Sequence, residues 1–321
     1  MARSAAQAPG PVRDAGREAA ARGGRARRRR YGQHFLEPAW VRRVVDAIDP
    51  APADRFLEIG PGRGALTWAL AERGARVLAV EIDRELAAGL RERAGPMVEV
   101  LTRDVLDCDL VELVASLAPP AGAEPGRVRL VGNLPYRVSA PILLQALRAS
   151  DRGARLHDAV VMLQEEVAER VTAGPGVPAY GPLAVAAWLR AAAVRRLRLP
   201  PGAFRPAPAV HSAVVALRFR PPARSPRNRA RFDALVRSLF TQRRKQGGTA
   251  LGPFAARYGL SGPDVFRRAG LDARRRPGEL APSELAALAD ALPSADALPP
   301  ADALPPADAF GSPDAAAAES D

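Results

Sequence analysis

The residues with the most chemistry in them stand together at Val131-Gly132-Asn133-Leu134-Pro135-Tyr136. An amide, a carbonyl ahead of a proline and an aromatic ring form a set suited to methylating an aromatic amine. The lone pair of such an amine is delocalised into its ring and must be drawn out before it can attack an electrophilic methyl group. Two acceptors aimed at the amine hydrogens do this: the Asn133 amide oxygen and the Leu134 carbonyl. Pro135 fixes the turn, and Tyr136 offers a face on which a base can stack. A proline-stiffened β-turn without chemistry is the plain alternative.

A second set begins at Phe56-Leu57-Glu58-Ile59-Gly60-Pro61-Gly62-Arg63-Gly64, an apolar strand running into a glycine-rich turn and then a helix. Glycine permits positive φ and lets a ligand approach the backbone closely, which makes Gly60 and Gly62 candidates for cofactor contact. Glu81 ends the next apolar run, where an acid can accept both hydroxyls of a ribose. Asp104 follows the third, where its carboxylate can accept a hydrogen bond from an adenine amino group. These residues alone fit a nicotinamide dinucleotide site, a methyl-donor site or a structural turn. Their phase favours a ligand, because each lies just beyond a strand end, where open α/β sheets bind.

The elements that must hold these residues alternate. Residues 56–60, 77–81, 98–101, 129–132 and 159–163 read as buried strands, with helical patterns at 65–73, 84–93, 140–147 and 165–171. That order predicts an α/β fold, a mostly parallel sheet covered by helices on both faces. Residues 195–199 and 213–219 suggest a closing strand pair. From about residue 228 the pattern is helical, through 232–240, 251–258, 263–269 and 282–291, and predicts a small all-helical C-terminal domain. The expected division is an arm at 1–30, an α/β domain at 31–222, a helical domain at 223–290 and a tail at 291–321.

The arm carries nine arginines and two acids, and its composition predicts disorder until it is bound. The tail repeats an Ala-Asp-Ala-Leu-Pro-Pro unit, and proline every sixth residue forbids a continuous helix. Net charge is +12 over the 321 residues and remains +12 once residues 1–30 and 289–321 are set aside, so it belongs to the folded part. A strongly basic protein of this kind meets nucleic acid or an anionic surface. Lys245 is the only lysine, an arginine bias that looks like genome composition. Cys108 is the only cysteine, which excludes an intramolecular disulfide and a cysteine-cluster metal site. The longest apolar stretch, residues 183–194, is short and interrupted by Arg190, and residues 1–30 lack the apolar run of a signal peptide. The expectation is a cytoplasmic protein without a membrane or metal.

Across residues 30 to about 290 the sequence resembles the ribosomal RNA adenine N6-dimethyltransferase family, most closely its small-subunit branch. Besides the acceptor motif, the resemblance rests on Tyr31-Gly32-Gln33-His34-Phe35-Leu36, Met162-Leu163-Gln164-Glu165-Glu166-Val167 and Ala179-Tyr180-Gly181. It continues with Pro200-Pro201-Gly202-Ala203-Phe204-Arg205-Pro206, Ser212-Ala213-Val214-Val215 and Gln242-Arg243-Arg244-Lys245. It implies a Rossmann-like class I methyltransferase using S-adenosyl-L-methionine. In it His34 and Leu36 close over the methionine end of the cofactor, beside Gly60, Gly62, Glu81, Asp104 and Asn133. Asn133, Leu134, Pro135 and Tyr136 would carry the transfer, and Phe204 would stack on the flipped base opposite Tyr136. Arg243, Arg244 and Lys245 would meet RNA, here 16S rRNA within an assembling 30S subunit, with the enzyme a monomer.

Two segments depart from the family pattern. Ala209-Val210-His211-Ser212 stands where Lys-Val-Asp-Ser is usual, and Gln246-Gly247-Gly248-Thr249 where Thr-Leu/Val-Arg-Asn is common. Both are expected to face RNA. The alternatives are a large-subunit RNA methyltransferase conferring macrolide resistance and, from another class, a non-catalytic ribosome-assembly factor. A nicotinamide dehydrogenase would need a hydride-transfer site, which the sequence does not offer.

Overall fold

The computed structural model describes residues 33–119, 126–221 and 225–293. The arginine-rich arm and all but the start of the repeat tail lie outside these residues. A seven-stranded sheet carries the fold. Its strands are β2 (Arg55–Ile59), β3 (Arg76–Glu81), β4 (Val98–Thr102), β5 (Val128–Asn133), β6 (Leu156–Gln164), β7 (Ala191–Leu199) and β9 (Ser212–Phe219). They lie in the order β4-β3-β2-β5-β6-β9-β7. The first five run parallel; β9 pairs antiparallel with both β6 and β7, which leaves β7 at one edge. Two short strands, β1 (Phe35–Leu36) and β8 (Phe204–Arg205), form a separate antiparallel pair.

Alternation along the strands divides the interior in two. Leu57, Ile59, Leu78, Val80 and Leu130 face one apolar cluster, which Ile142, Leu143 and Leu147 complete from α5 (Ser139–Asp151). Phe56, Val77, Ala79, Val131 and Val160 face the other, where α1 (Pro38–Ile48), α2 (Ala65–Ala71) and α3 (Arg84–Arg93) contribute Val44, Leu70 and Leu90. Burial on both faces is why these strands read as continuous apolar runs.

The helical elements are α6 (Glu165–Thr172), α7 (Pro182–Arg190), α8 (Arg229–Thr241), α9 (Gly247–Ala256), α10 (Gly262–Arg268) and α11 (Pro282–Asp290), with α4 (Leu110–Ser116) between β4 and β5. The core does not divide at residue 222. Helix α7 gives Leu183 and Ala187 to the sheet cluster, but Ala184, Val185 and Leu189 to a third cluster with Phe232, Leu235, Leu251, Phe266 and Leu285. One helix apolar all round thus joins the sheet to the C-terminal helices, and the described residues from His34 onward form one unit. Among the described residues no helix is long and apolar enough to cross a membrane.

The departure at Gln246–Thr249 has a packing cause rather than an RNA-facing one for its glycines. Gly247 and Gly248 are buried at the start of α9, donating to the Arg275 and Ala273 carbonyls at 2.7 and 2.9 Å. A Cβ on Gly247 would run into the Phe266 ring, and one on Gly262 into the Gly248 carbonyl. Glycine lets α9 and α10 cross at this distance.

Candidate active site

The carboxyl ends of the parallel strands converge on the residues singled out above. Gly60, Gly62 and Gly64 all hold positive φ, at 65°, 59° and 82°, which explains three glycines in five residues. The buried carboxylate of Glu81 ties this loop to its own strand. One oxygen accepts from the Gly62 N–H at 2.9 Å and the other from the Asp83 N–H at 3.0 Å. Burial pushes the Glu81 carboxyl above its ordinary range, against these two bonds, which favour the charged form. The Ile82 N–H also favours the charged form, and the carboxylate still has lone-pair capacity for a ligand hydroxyl. Asp104, half-buried after β4, uses Oδ1 to cap the next turn through the Leu106 N–H at 2.9 Å. Its Oδ2 accepts no hydrogen bond within the described residues.

Two residues that sequence reasoning passed over lie beside these acids. Ile82 and Leu106 are each 39% exposed, rare for large aliphatic side chains in this fold. They follow Glu81 and Asp104 at the ends of neighbouring strands, a pair suited to holding a flat heterocycle between apolar walls. No local signal in the sequence separates them from core residues: Val105, directly after Asp104, is buried, whereas Ile82 and Leu106 are not. Glu58 was also missed. It sits inside β2, takes a hydrogen bond from the Thr67 hydroxyl at 2.6 Å, and burial lifts its carboxyl to about 7. An acid within an apolar strand was the available sign.

Beside the glycine loop lies the acceptor motif. A Cβ on Gly60 would stand 3.8 Å from the Asn133 carbonyl oxygen and 4.0 Å from the Pro135 ring, so loop and motif are in contact. The Asn133 side chain is oriented by its nitrogen, which donates to the His34 carbonyl at 2.6 Å. That leaves Oδ1 as an acceptor with no internal partner among the described residues. The buried Leu134 donates its N–H to the Met162 carbonyl at 3.2 Å, and its own carbonyl is likewise unclaimed. Tyr136 is fixed through its hydroxyl to Ser212 Oγ at 2.8 Å, and burial raises its phenol above the usual value.

His34 joins this group by three contacts. Beside the bond to Asn133, its Nδ1 lies 2.7 Å from the Pro206 carbonyl, and its ring stacks on Tyr136 at 5.2 Å between centroids and 25° between planes. One face of Tyr136 is therefore covered by imidazole, so a base must use the other face or displace it. Leu36 sends its side chain into the apolar cluster, so anything it offers a ligand comes from the main chain.

Phe204 requires a correction. Its ring was expected opposite Tyr136 at the rim, but it is completely buried among Leu36, Ala203, Leu199 and Val214. Strand β8 pairs with β1, setting Phe204 against Leu36 and turning the ring into the core. In this conformation it anchors the loop and offers no face to a base. Arg243, Arg244 and Lys245 are exposed in the turn between α8 and α9, with Arg243 donating to the Pro178 carbonyl at 2.9 Å.

This geometry has known counterparts. Residues 24–255 match the family model described as ribosomal RNA adenine dimethylase. A protein from Burkholderia sp, named ribosomal RNA small subunit methyltransferase A, is 44% identical over 227 residues, 69% of this chain and 78% of its own. One of the same name from Variovorax paradoxus (strain S110) is 40% identical over 268 residues, 83% of this chain and 97% of its own. Among solved structures, a dimethyladenosine transferase from Plasmodium falciparum shares the fold, with a TM-score of 0.65, 21% identity, and 79% of this chain and 96% of that one covered. The 23S rRNA methyltransferase ErmE aligns with a TM-score of 0.57 and 26% identity, over 80% of this chain and 99% of that one. On the family match and these relatives, the chain belongs to the ribosomal RNA adenine dimethylase family, a class I fold whose methyl donor is S-adenosylmethionine.

Proposed function

We propose that this protein dimethylates the N6 amino groups of two adjacent adenines in the 3′-terminal hairpin of small-subunit ribosomal RNA, acting as a monomer on the assembling subunit in the cytoplasm. The observation that carries the chemistry is the orientation of Asn133. With its nitrogen held by His34, its oxygen and the Leu134 carbonyl form a pair of preset acceptors. The small-subunit target is supported by the names of the relatives at 40–44% identity over most of their length.

Bound S-adenosylmethionine supplies an electrophilic methyl group. The residues that fit it are the positive-φ glycines 60 and 62, Glu81 toward ribose hydroxyls, Ile82 and Leu106 against the adenine rings, and Asp104 toward the adenine amino group. The His34 and Leu36 main chain borders the other end. In the first transfer Asn133 Oδ1 and the Leu134 carbonyl accept the two hydrogens of the target amine, and in the second one of them accepts the single hydrogen that remains; in both the lone pair leaves conjugation with the ring. The methylated amine is acidic enough to lose a proton to water, so no strong base is needed. Catalysis then comes from orientation and from acceptors fixed before the reaction. Leaving its stack costs the target base a few kcal/mol; stacking on Tyr136, worth about 1–3 kcal/mol, offsets much of that.

Expression in a strain lacking the small-subunit enzyme tests the target, read by primer extension across both ribosomal RNAs. Dimethylation of the paired small-subunit adenines is expected. A mark only in large-subunit RNA, with macrolide resistance, would overturn the target and leave the chemistry standing.

A further inference from the structure

Strand β7 is the open edge of the sheet, and its charge is concentrated at one end. Ala191, Ala192, Ala193 and Val194 carry none, whereas Arg195, Arg196 and Arg198 crowd the last five residues. A bulge between Arg195 and Leu197 breaks the alternation, so Val194, Arg195 and Arg196 are all exposed in succession. Bulges re-aim side chains in this way. Edge strands are often guarded by charge and bulges against pairing with other chains. A guard alone would serve best on the uncharged half, where Val194 is 47% exposed, yet that half has no charge.

The charged end is the one that reaches the active site. Leu199 pairs with Ser212, the residue that holds the Tyr136 hydroxyl, and Arg198 pairs one position away with Ala213. At its other end β7 continues from α7, which is built into the core of the C-terminal helices. Acid opposing these arginines is scarce. Glu165 alone bridges to both Arg195 at 3.2 Å and Arg198 at 3.0 Å, and Arg196 makes no ion pair among the described residues. Both bridged arginines remain half-exposed or more, at 50% and 59%.

We propose that the arginine-bearing end of β7 is a phosphate track that holds the RNA strand flanking the target adenine beside Tyr136. Three cations along about 10 Å of extended chain, beside unpaired edge N–H donors, suit a nucleic-acid backbone, which such groups position without reading sequence. Glu165 holds two of them in place and partly neutralises them. This rests on the reading of the protein as a ribosomal RNA methyltransferase, and adds a surface that the acceptor motif does not need.

The test measures binding of the full chain to undermethylated small subunits across a salt series, with cofactor affinity as a check of folding. R195Q/R196Q/R198Q should weaken binding and flatten the slope of log K against log salt by roughly 2, at about 0.7–0.9 for each phosphate no longer neutralised. Glu165→Gln should tighten binding and steepen the slope, and it leaves the edge charges in place should the triple variant aggregate. R195K/R196K/R198K should keep the wild-type slope. Unchanged slopes in both the glutamine triple and Glu165→Gln, with wild-type binding and transfer intact, would overturn the track and leave the proposed function untouched. Failure of the wild-type chain to bind small subunits would instead count against that function.

Discussion

At the amino end of the sheet Arg129 uses all five of its N–H donors inside the protein. They go to both oxygens of Asp158, to Asp54 and to the Asp49 and Ile48 carbonyls, at 2.6–3.0 Å. Asp54 is completed by the Ala51 N–H and a two-pronged Arg127. Burial alone would raise the Asp54 carboxyl, but its bonds to Arg127, Ala51 and Arg129 hold it below the ordinary range. At the carboxyl end the polar groups are as carefully held but not used up. Among the described residues Glu81 keeps lone-pair capacity, Asp104 a free oxygen, and Asn133 and Leu134 two free acceptors. Both ends hold buried polar side chains. The closed network orders the fold, and the open one is left with capacity for ligands.

Breaking the closed end should cost the most. Arg129→Met leaves Asp158 and part of Asp54 buried without a cation, and removing one partner of such a network costs about 3–5 kcal/mol. Urea denaturation should show that loss, while cofactor affinity of the folded protein, measured by calorimetry, stays within a few-fold of wild type. A large fall in affinity at unchanged stability would reverse the roles assigned to the two ends.

Glu58 sharpens the comparison from within the site. Its carboxyl titrates near 7 when folded, against an ordinary 4.5. Because the folded value is raised, the neutral acid favours the native state. Its contribution is complete below pH 4.5 and is lost as pH climbs through 7, by about 3 kcal/mol. Glu58→Gln, which keeps the acceptor for Thr67, should therefore gain stability over wild type as pH rises from 4.5 to 8. A difference in unfolding free energy that is flat with pH would contradict the assignment.

The smallest of these effects is expected at Glu81. Glu81→Ala loses the clamp on Gly62 together with charged acceptors for the ribose, a loss of about 1.5–3 kcal/mol. Affinity for S-adenosylmethionine should fall roughly ten- to hundredfold by calorimetry. Unchanged affinity would remove Glu81 from the site.

What could be read in advance followed from how local each signal is. Strands buried on both faces read as mainly apolar runs, and positive φ demands glycine, so most of the parallel sheet and the loop at 60–64 were visible. The acceptor motif was visible because its chemistry lies in four consecutive residues. Phe204 was misplaced because its burial depends on the pairing of β8 with β1, far away in sequence. Helix α7 was passed over because it is apolar on every side, serving two cores at once. The network of Arg129 could not be read from its strand, since its partners arrive from residues 48–54 and 158. Ile82 and Leu106 were overlooked because their exposure, not their type, marks them.

Methyl transfer is expected to depend on Asn133 Oδ1 as a preset acceptor, and single-turnover transfer of a labelled methyl group to undermethylated small subunits, at saturating enzyme and cofactor, measures this directly. Asn133→Ala should slow transfer by about 10²–10³-fold, the scale for removing one fixed transition-state hydrogen-bonding partner, while affinity for the subunits stays near wild type. Transfer within a few-fold of the wild-type rate from the saturated complex would contradict the mechanism.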